Sequence, residues 1–163
     1  MKSKLSVFTT LLLIYCVFNT AYAEQFALQQ SEGGTLYLRI HTRAVDDAQF
    51  LLDTGSSLTL LTPDTFKKLS ANEPATEAGY VNARLANGQI KKIKTYRLTA
   101  FALSDACAFE DVQVAVMPRA NNILGMGLLS KAGSLNISLL PPTLTLEKCD
   151  QMHTASTAPL STH

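Results

Sequence analysis

Apolar and polar residues alternate with period two over residues 35–41 (TLYLRIH) and again over 111–117 (DVQVAVM). That is the pattern of strands with one buried face. Shorter apolar runs at 49–52 (QFLL) and 58–61 (LTLL) read as buried strands. Residues 80–85 and 89–103 flank Asn87-Gly88, a dipeptide that suits the positive φ of a tight hairpin turn. Two last strands are expected at 134–139 and 143–147, separated by Pro141-Pro142. Helical signals are few. Thr62-Pro63-Asp64 combines an N-cap, a proline at the first helical position and an acid in the first turn, predicting a helix to about residue 69. A second short helix is expected over 127–132, ended by Gly133. Many short strands punctuated by turn residues predict an all-β barrel or sandwich with one or two short helices.

The ends of the chain read differently. Lys2 and Lys4 precede an apolar run over 5–18, and Ala21-Tyr22-Ala23 follows, which predicts a signal peptide over residues 1–23. An uncleaved membrane anchor is the alternative, and the run is short for it, since about 20 apolar residues are needed to span a bilayer. The expectation is an exported chain, periplasmic or secreted, touching a membrane only if this segment is retained. Residues 150–163 are polar and aperiodic and are expected to form a disordered tail. Between the two lie a short N-terminal segment, 24–33, and one folded domain, 34–149.

Composition narrows the function classes. Loss of Lys2 and Lys4 takes the formal charge from +1 to −1, so no nucleic-acid partner is expected. His41, His153 and His163 are scattered, and no zinc or calcium spacing is present, so neither metal nor cofactor is expected. Cys107 and Cys149 remain after processing. In an oxidising compartment they are expected to pair, within one chain or between two, with free thiols as the remaining alternative.

One segment carries chemistry. In Phe50-Leu51-Leu52-Asp53-Thr54-Gly55-Ser56-Ser57 an aspartate directly follows an apolar strand. Burying a carboxylate is costly, so the segment must supply hydrogen bonds. Gly55 offers an N–H and allows close backbone approach. Ser56 offers a hydroxyl to the outer carboxylate oxygen, and the Thr54 hydroxyl can point inward to brace the loop. Alone, Asp-Thr-Gly reads as a plain turn. Its context between two apolar runs, followed much later by Asn122-Ile123-Leu124-Gly125, argues for more.

These features resemble the retropepsin-like aspartic proteases, specifically their single-domain bacterial members, over roughly residues 34–147. Asp53-Thr54-Gly55-Ser56 matches the catalytic loop. Ala86-Asn87-Gly88 lies where the family has its flap hairpin, and Ile123-Leu124-Gly125 matches the segment packed behind the loop. The resemblance implies an acid-protease β-barrel providing half of a dimeric active site, with Asp53 catalytic. Two departures stand out. Met126-Gly127 follows the glycine segment where retroviral members have Arg-Asp or Arg-Asn, and the flap has a single glycine.

Aspartic proteolysis needs two carboxylates about 3 Å apart sharing one proton. Asp46, Asp47, Asp64, Asp105, Asp111 and Asp150 lack such a loop and read as surface charges. The second catalytic loop is therefore expected from a second copy, giving a homodimer that cleaves a peptide or protein substrate. Strands near 34–41 and 143–147 are expected to pair across the two-fold axis. A non-enzymatic dimeric binding module on the same fold is the alternative, since one fold hosts many functions.

Overall fold

The computed structural model describes residues 23–72, 74–85, 87–118 and 121–149. Residues 1–22 and 150–163, on which the signal-segment and tail readings rest, lie outside that set, as does Ala86 of the expected flap. The strands are β1 (Glu24–Gln30), β2 (Leu36–Ile40), β3 (Ala48–Asp53), β4 (Thr59–Leu61), β5 (Ala75–Arg84), β6 (Ile90–Ser104), β7 (Cys107–Val116), β8 (Asn122–Gly125), β9 (Leu135–Leu139) and β10 (Pro142–Leu146). Helix α1 (Pro63–Asn72) follows β4, and α2 (Met126–Leu129) runs into a 3-10 turn, Ser130–Ala132, before β9.

The strands form one ten-stranded sheet in the order β5-β6-β7-β4-β8-β3-β2-β1-β10-β9. This corrects the expectation of an all-β closed barrel. The sheet is mixed: β3 runs parallel to β8 and β4 parallel to β7, while the other pairings are antiparallel. It is also open, with β5 and β9 at its two ends and not paired with each other. The helices belong to the fold, since Leu69 of α1 and Leu128 and Leu129 of α2 are buried in its core. Period-two alternation reports which side chains face inward. It carries no information about the direction of a neighbouring strand or about closure.

Local rules act as expected in α1. The Thr62 hydroxyl accepts the Thr65 N–H at 3.2 Å, satisfying one of the free amides of the first turn. Phe66 packs on Tyr96 with ring centroids 4.4 Å apart. The main core lies beneath the sheet, where Phe50 meets Phe101 edge to face at 5.9 Å.

β1 falls in the segment expected to lie outside the domain. Its first half pairs with β10 from Glu24↔Leu146 to Ala27↔Thr143, and its second half pairs with β2 from Leu28↔Leu38 to Gln30↔Leu36. The alternation of buried Phe26 and Leu28 with exposed neighbours was the available signal. This arrangement also corrects the expected dimer contact. β2 is flanked by β1 and β3, and β10 by β1 and β9, so both edges of each are occupied within the chain. Cys107 and Cys149 form a bridge within the chain, with S–S 2.02 Å, which ties the end of the described chain to the start of β7.

Candidate active site

Asp53 is the last residue of β3, half-buried at the point where the strand turns out of the sheet. Its Oδ1 accepts the Gly55 N–H at 2.9 Å, and its carbonyl accepts the Ser56 N–H at 3.2 Å. The turn thus holds the carboxylate in place by the amide two residues ahead. Ser56 acts differently from expectation. Its hydroxyl donates to the Leu58 carbonyl at 2.8 Å and accepts the Leu58 N–H at 3.3 Å, closing the far side of the loop instead of contacting Asp53. Thr54 is exposed within the protomer and does not brace the loop from inside.

The floor of the loop is β8. Parallel pairing sets Leu51 beside Ile123, Leu52 beside Leu124 and Asp53 beside Gly125. The Met126 N–H then donates to the Ser56 carbonyl at 2.8 Å, joining the start of α2 to the loop. Glycine is required here by space. A Cβ at Gly125 would stand 2.8 Å from the Ser56 carbonyl oxygen and would overlap the Leu58 carbonyl oxygen outright. A Cβ at Gly127 would stand 2.7 Å from the Ser57 carbonyl oxygen. The close approach assigned to Gly55 in the sequence therefore belongs to Gly125 and Gly127. At Gly55 an added Cβ would meet only the Asp53 carboxylate, at 3.2 Å.

Asn122 was quoted in the motif without a role. It is buried, its Oδ1 accepts the Thr62 N–H at 2.9 Å, and its Nδ2 donates to the Gln49 carbonyl at 3.2 Å. It thereby clamps the strand leading into Asp53 to the chain leaving β4. A polar residue opening an apolar run at the start of a strand was the only hint in the sequence.

The turn of the β5–β6 hairpin falls at Asn87-Gly88, the place where a flap was expected. Asn87 Oδ1 accepts the Gln89 N–H at 3.1 Å, and Gly88 has φ 81°, the left-handed conformation that glycine adopts without strain. The last ladder pair is Arg84↔Ile90, so the turn is longer than a two-residue one. A second, smaller apolar cluster connects this hairpin to the loop. Val81, Ala83 and Ile93 pack with Leu58 and Leu60 on the loop side and with Ile123 of β8. The hairpin and the Asp53 loop therefore share one apolar wall.

The other described aspartates are exposed and stand apart from this arrangement. Asp47 pairs with Arg39, and Asp111 takes both carboxylate oxygens to Arg97 at 2.7 Å. Hydrogen bonding from Arg97 holds the Asp111 carboxyl below the usual carboxylate range. Asp64 lies in the first turn of α1 and Asp105 in the β6–β7 turn.

Comparison with known proteins follows the same lines. No curated protein matches the chain. A solved structure of a retropepsin-like aspartic protease from Rickettsia conorii is similar in fold, with TM-score 0.55 and 20% identity over 78% of this chain and 92% of that chain. The family model described as aspartyl protease matches residues 40–128, which takes in the Asp53 loop, the hairpin and the glycine floor. With more than half of its length inside that match, the chain belongs to the aspartyl protease family.

Proposed function

We propose that the chain is an aspartic endopeptidase whose active species is a homodimer, each copy contributing one Asp53 to a shared dyad. The observation that carries this reading is the Asp53 loop itself: a carboxylate at a strand end, held by the Gly55 amide and floored by Gly125. One chain has one such loop. A two-fold axis is the simplest operation that sets two copies face to face. The exposure of Thr54 within the protomer leaves its side chain available to the second loop.

In the dyad, the ionised Asp53 takes a proton from water while the oxygen attacks the scissile carbonyl carbon. The protonated Asp53 of the other copy gives its proton to the carbonyl oxygen, producing a neutral gem-diol. Collapse of the diol expels the amine, which takes the proton held by the dyad, while one diol hydroxyl gives its proton to the other carboxylate, leaving the acid product and a dyad that again holds one proton. The substrate is an extended peptide lying between the loops and the β5–β6 hairpins, where the apolar wall of Leu58, Val81 and Ile123 favours apolar side chains. The internal disulfide supports an exported, oxidising location.

The test is mass spectrometry of a mixed peptide pool incubated with the purified chain and with Asp53→Ala. New termini made by the first and missing with the second are expected. A pool left intact by both would sink the reading.

A further inference from the structure

We propose that the outer face of the β5–β6 hairpin is a docking surface for an anionic lipid bilayer, formed by cations set around an exposed tyrosine and an exposed isoleucine. The charge of the chain is small in total but unevenly placed. Residues 78–104 hold five cations, Arg84, Lys91, Lys92, Lys94 and Arg97, and no acid. Lys94 pairs with Glu77, and Arg97 with Asp111. Arg84, Lys91 and Lys92 have no acidic partner among the described residues. A net charge near zero conceals such a patch, whose field reaches about 10 Å into a salt solution.

The register of the hairpin sorts these residues by face. Directly opposed residues of an antiparallel pair lie on one side of the sheet, and the sides alternate along each strand. Val81↔Ile93 and Ala83↔Lys91 therefore share one face, whose apolar members pack with Leu58 and Ile123 beside the Asp53 loop. Tyr80↔Lys94, Asn82↔Lys92 and Arg84↔Ile90 share the other face, which points away from that loop. Of the four exposed large hydrophobic side chains among the described residues, two are here: Tyr80 is 59% exposed and Ile90 65% exposed. Lys92 Nζ stands 4.7 Å from the centre of the Tyr80 ring. From Tyr80 to Arg84 the strand advances about 13 Å, so cations and apolar groups are interleaved over one small area.

Cations alone suit any polyanion. The two apolar side chains select the bilayer. A tyrosine ring sits well at the headgroup level, an isoleucine at the acyl boundary below it, and lysine and arginine against the phosphates. A soluble polyanion uses the charges and leaves Tyr80 and Ile90 in water. The contact needs neither residues 1–23 nor a second copy, and it leaves the loop-facing side of the hairpin free.

The sequence has no tryptophan, so one introduced indole reports its own surroundings. Ile90→Trp and, as a second reporter on the same face, Tyr80→Trp are made in the full chain carrying Asp53→Asn, which keeps peptide cleavage out of the measurement. Leu139→Trp, at a similarly exposed position on β9, is the comparison. At low ionic strength, vesicles of phosphatidylglycerol with phosphatidylcholine should shift the emission of both hairpin reporters to the blue and leave Leu139→Trp unchanged. Vesicles of phosphatidylcholine alone, and soluble poly-glutamate, should shift none of the three. Each cation near an anionic surface strengthens partitioning by roughly fivefold, so adding Arg84→Gln and Lys92→Gln should weaken it by roughly 25-fold. Hairpin emission that stays at its value in water would overturn the proposal, whether or not the chain binds polyanions. An equal shift from Leu139→Trp would overturn it too, since another part of the chain would then be the anchor. None of these results depends on cleavage, so the endopeptidase reading stands or falls separately.

Discussion

Gly125 lies directly beneath Leu58, so close that any Cβ at Gly125 would overlap the Leu58 carbonyl oxygen. Backbone, not a flexible side chain, occupies the space, so the Asp53 loop must move if Gly125 gains a methyl group. Gly125→Ala should cost about 3 kcal/mol and lower the melting temperature by roughly 10 °C. Peptide cleavage should fall below detection even where the variant remains folded. Calorimetry and a cleavage assay on the same preparation decide it, and a variant with normal stability and activity would contradict the close contact.

Asp53→Asn should leave the melting temperature and the dimer unaltered and eliminate cleavage. In the proposed homodimer one residue supplies both carboxylates, so a mixed dimer of the natural chain with Asp53→Asn should be inactive as well. Titrating increasing Asp53→Asn into a fixed amount of natural chain should lower activity as mixed dimers form. Constant activity throughout that titration would mean that each copy works alone.

Activity should peak below neutral pH. The working state of the dyad holds one proton between two carboxylates, so rate is lost when both are protonated and again when both are ionised. The high-pH limb is the diagnostic one. A rate that climbs steadily to about pH 8 would exclude a shared proton.

Replacing Cys107 and Cys149 together with serine or alanine should destabilise the fold by about 3–4 kcal/mol, the loop-closure entropy expected for residues 42 apart in sequence. The bridge joins β7 to the end of the described chain and does not touch the Asp53 loop, so cleavage at low temperature should persist. Melting curves with and without reductant provide the measurement. Equal melting temperatures would show that the bridge contributes nothing.

Thr59 is fully buried in β4, and its hydroxyl has no hydrogen-bond partner among the described residues. Thr59→Val should raise stability by about 1 kcal/mol by removing an unsatisfied polar atom while keeping the side-chain shape. A drop of similar size in a denaturant titration would show that the hydroxyl is bonded in solution.

Much of the local structure was readable before any coordinates. Alternation placed β2 and the second half of β7, short apolar runs placed β3 and β4, capping chemistry placed α1, and Asn87-Gly88 placed the β5–β6 hairpin. These succeed because side-chain period, caps and turn conformations are decided within a few residues of chain. The same holds for the Asp53 turn, in which the carboxylate and the Gly55 amide are two positions apart.

What the sequence determined by itself, then, is a strand-rich chain bearing one acidic loop of a recognisable family and two cysteines able to pair. The tertiary structure decided the rest. Parallel pairing of β3 with β8 brings Gly125 under Asp53 across a long stretch of chain, and no periodicity encodes that neighbour. The hydroxyl of Ser56 finds Leu58 instead of Asp53 because the loop closes over β8, a geometry absent from the linear motif. β1 takes up the free edges of β2 and β10, which turns the expected contact strands into interior ones and leaves β9 open. Each of these outcomes depends on which strand lies beside which. That choice is made by the summed packing of residues far apart in sequence, so it lies beyond any local pattern.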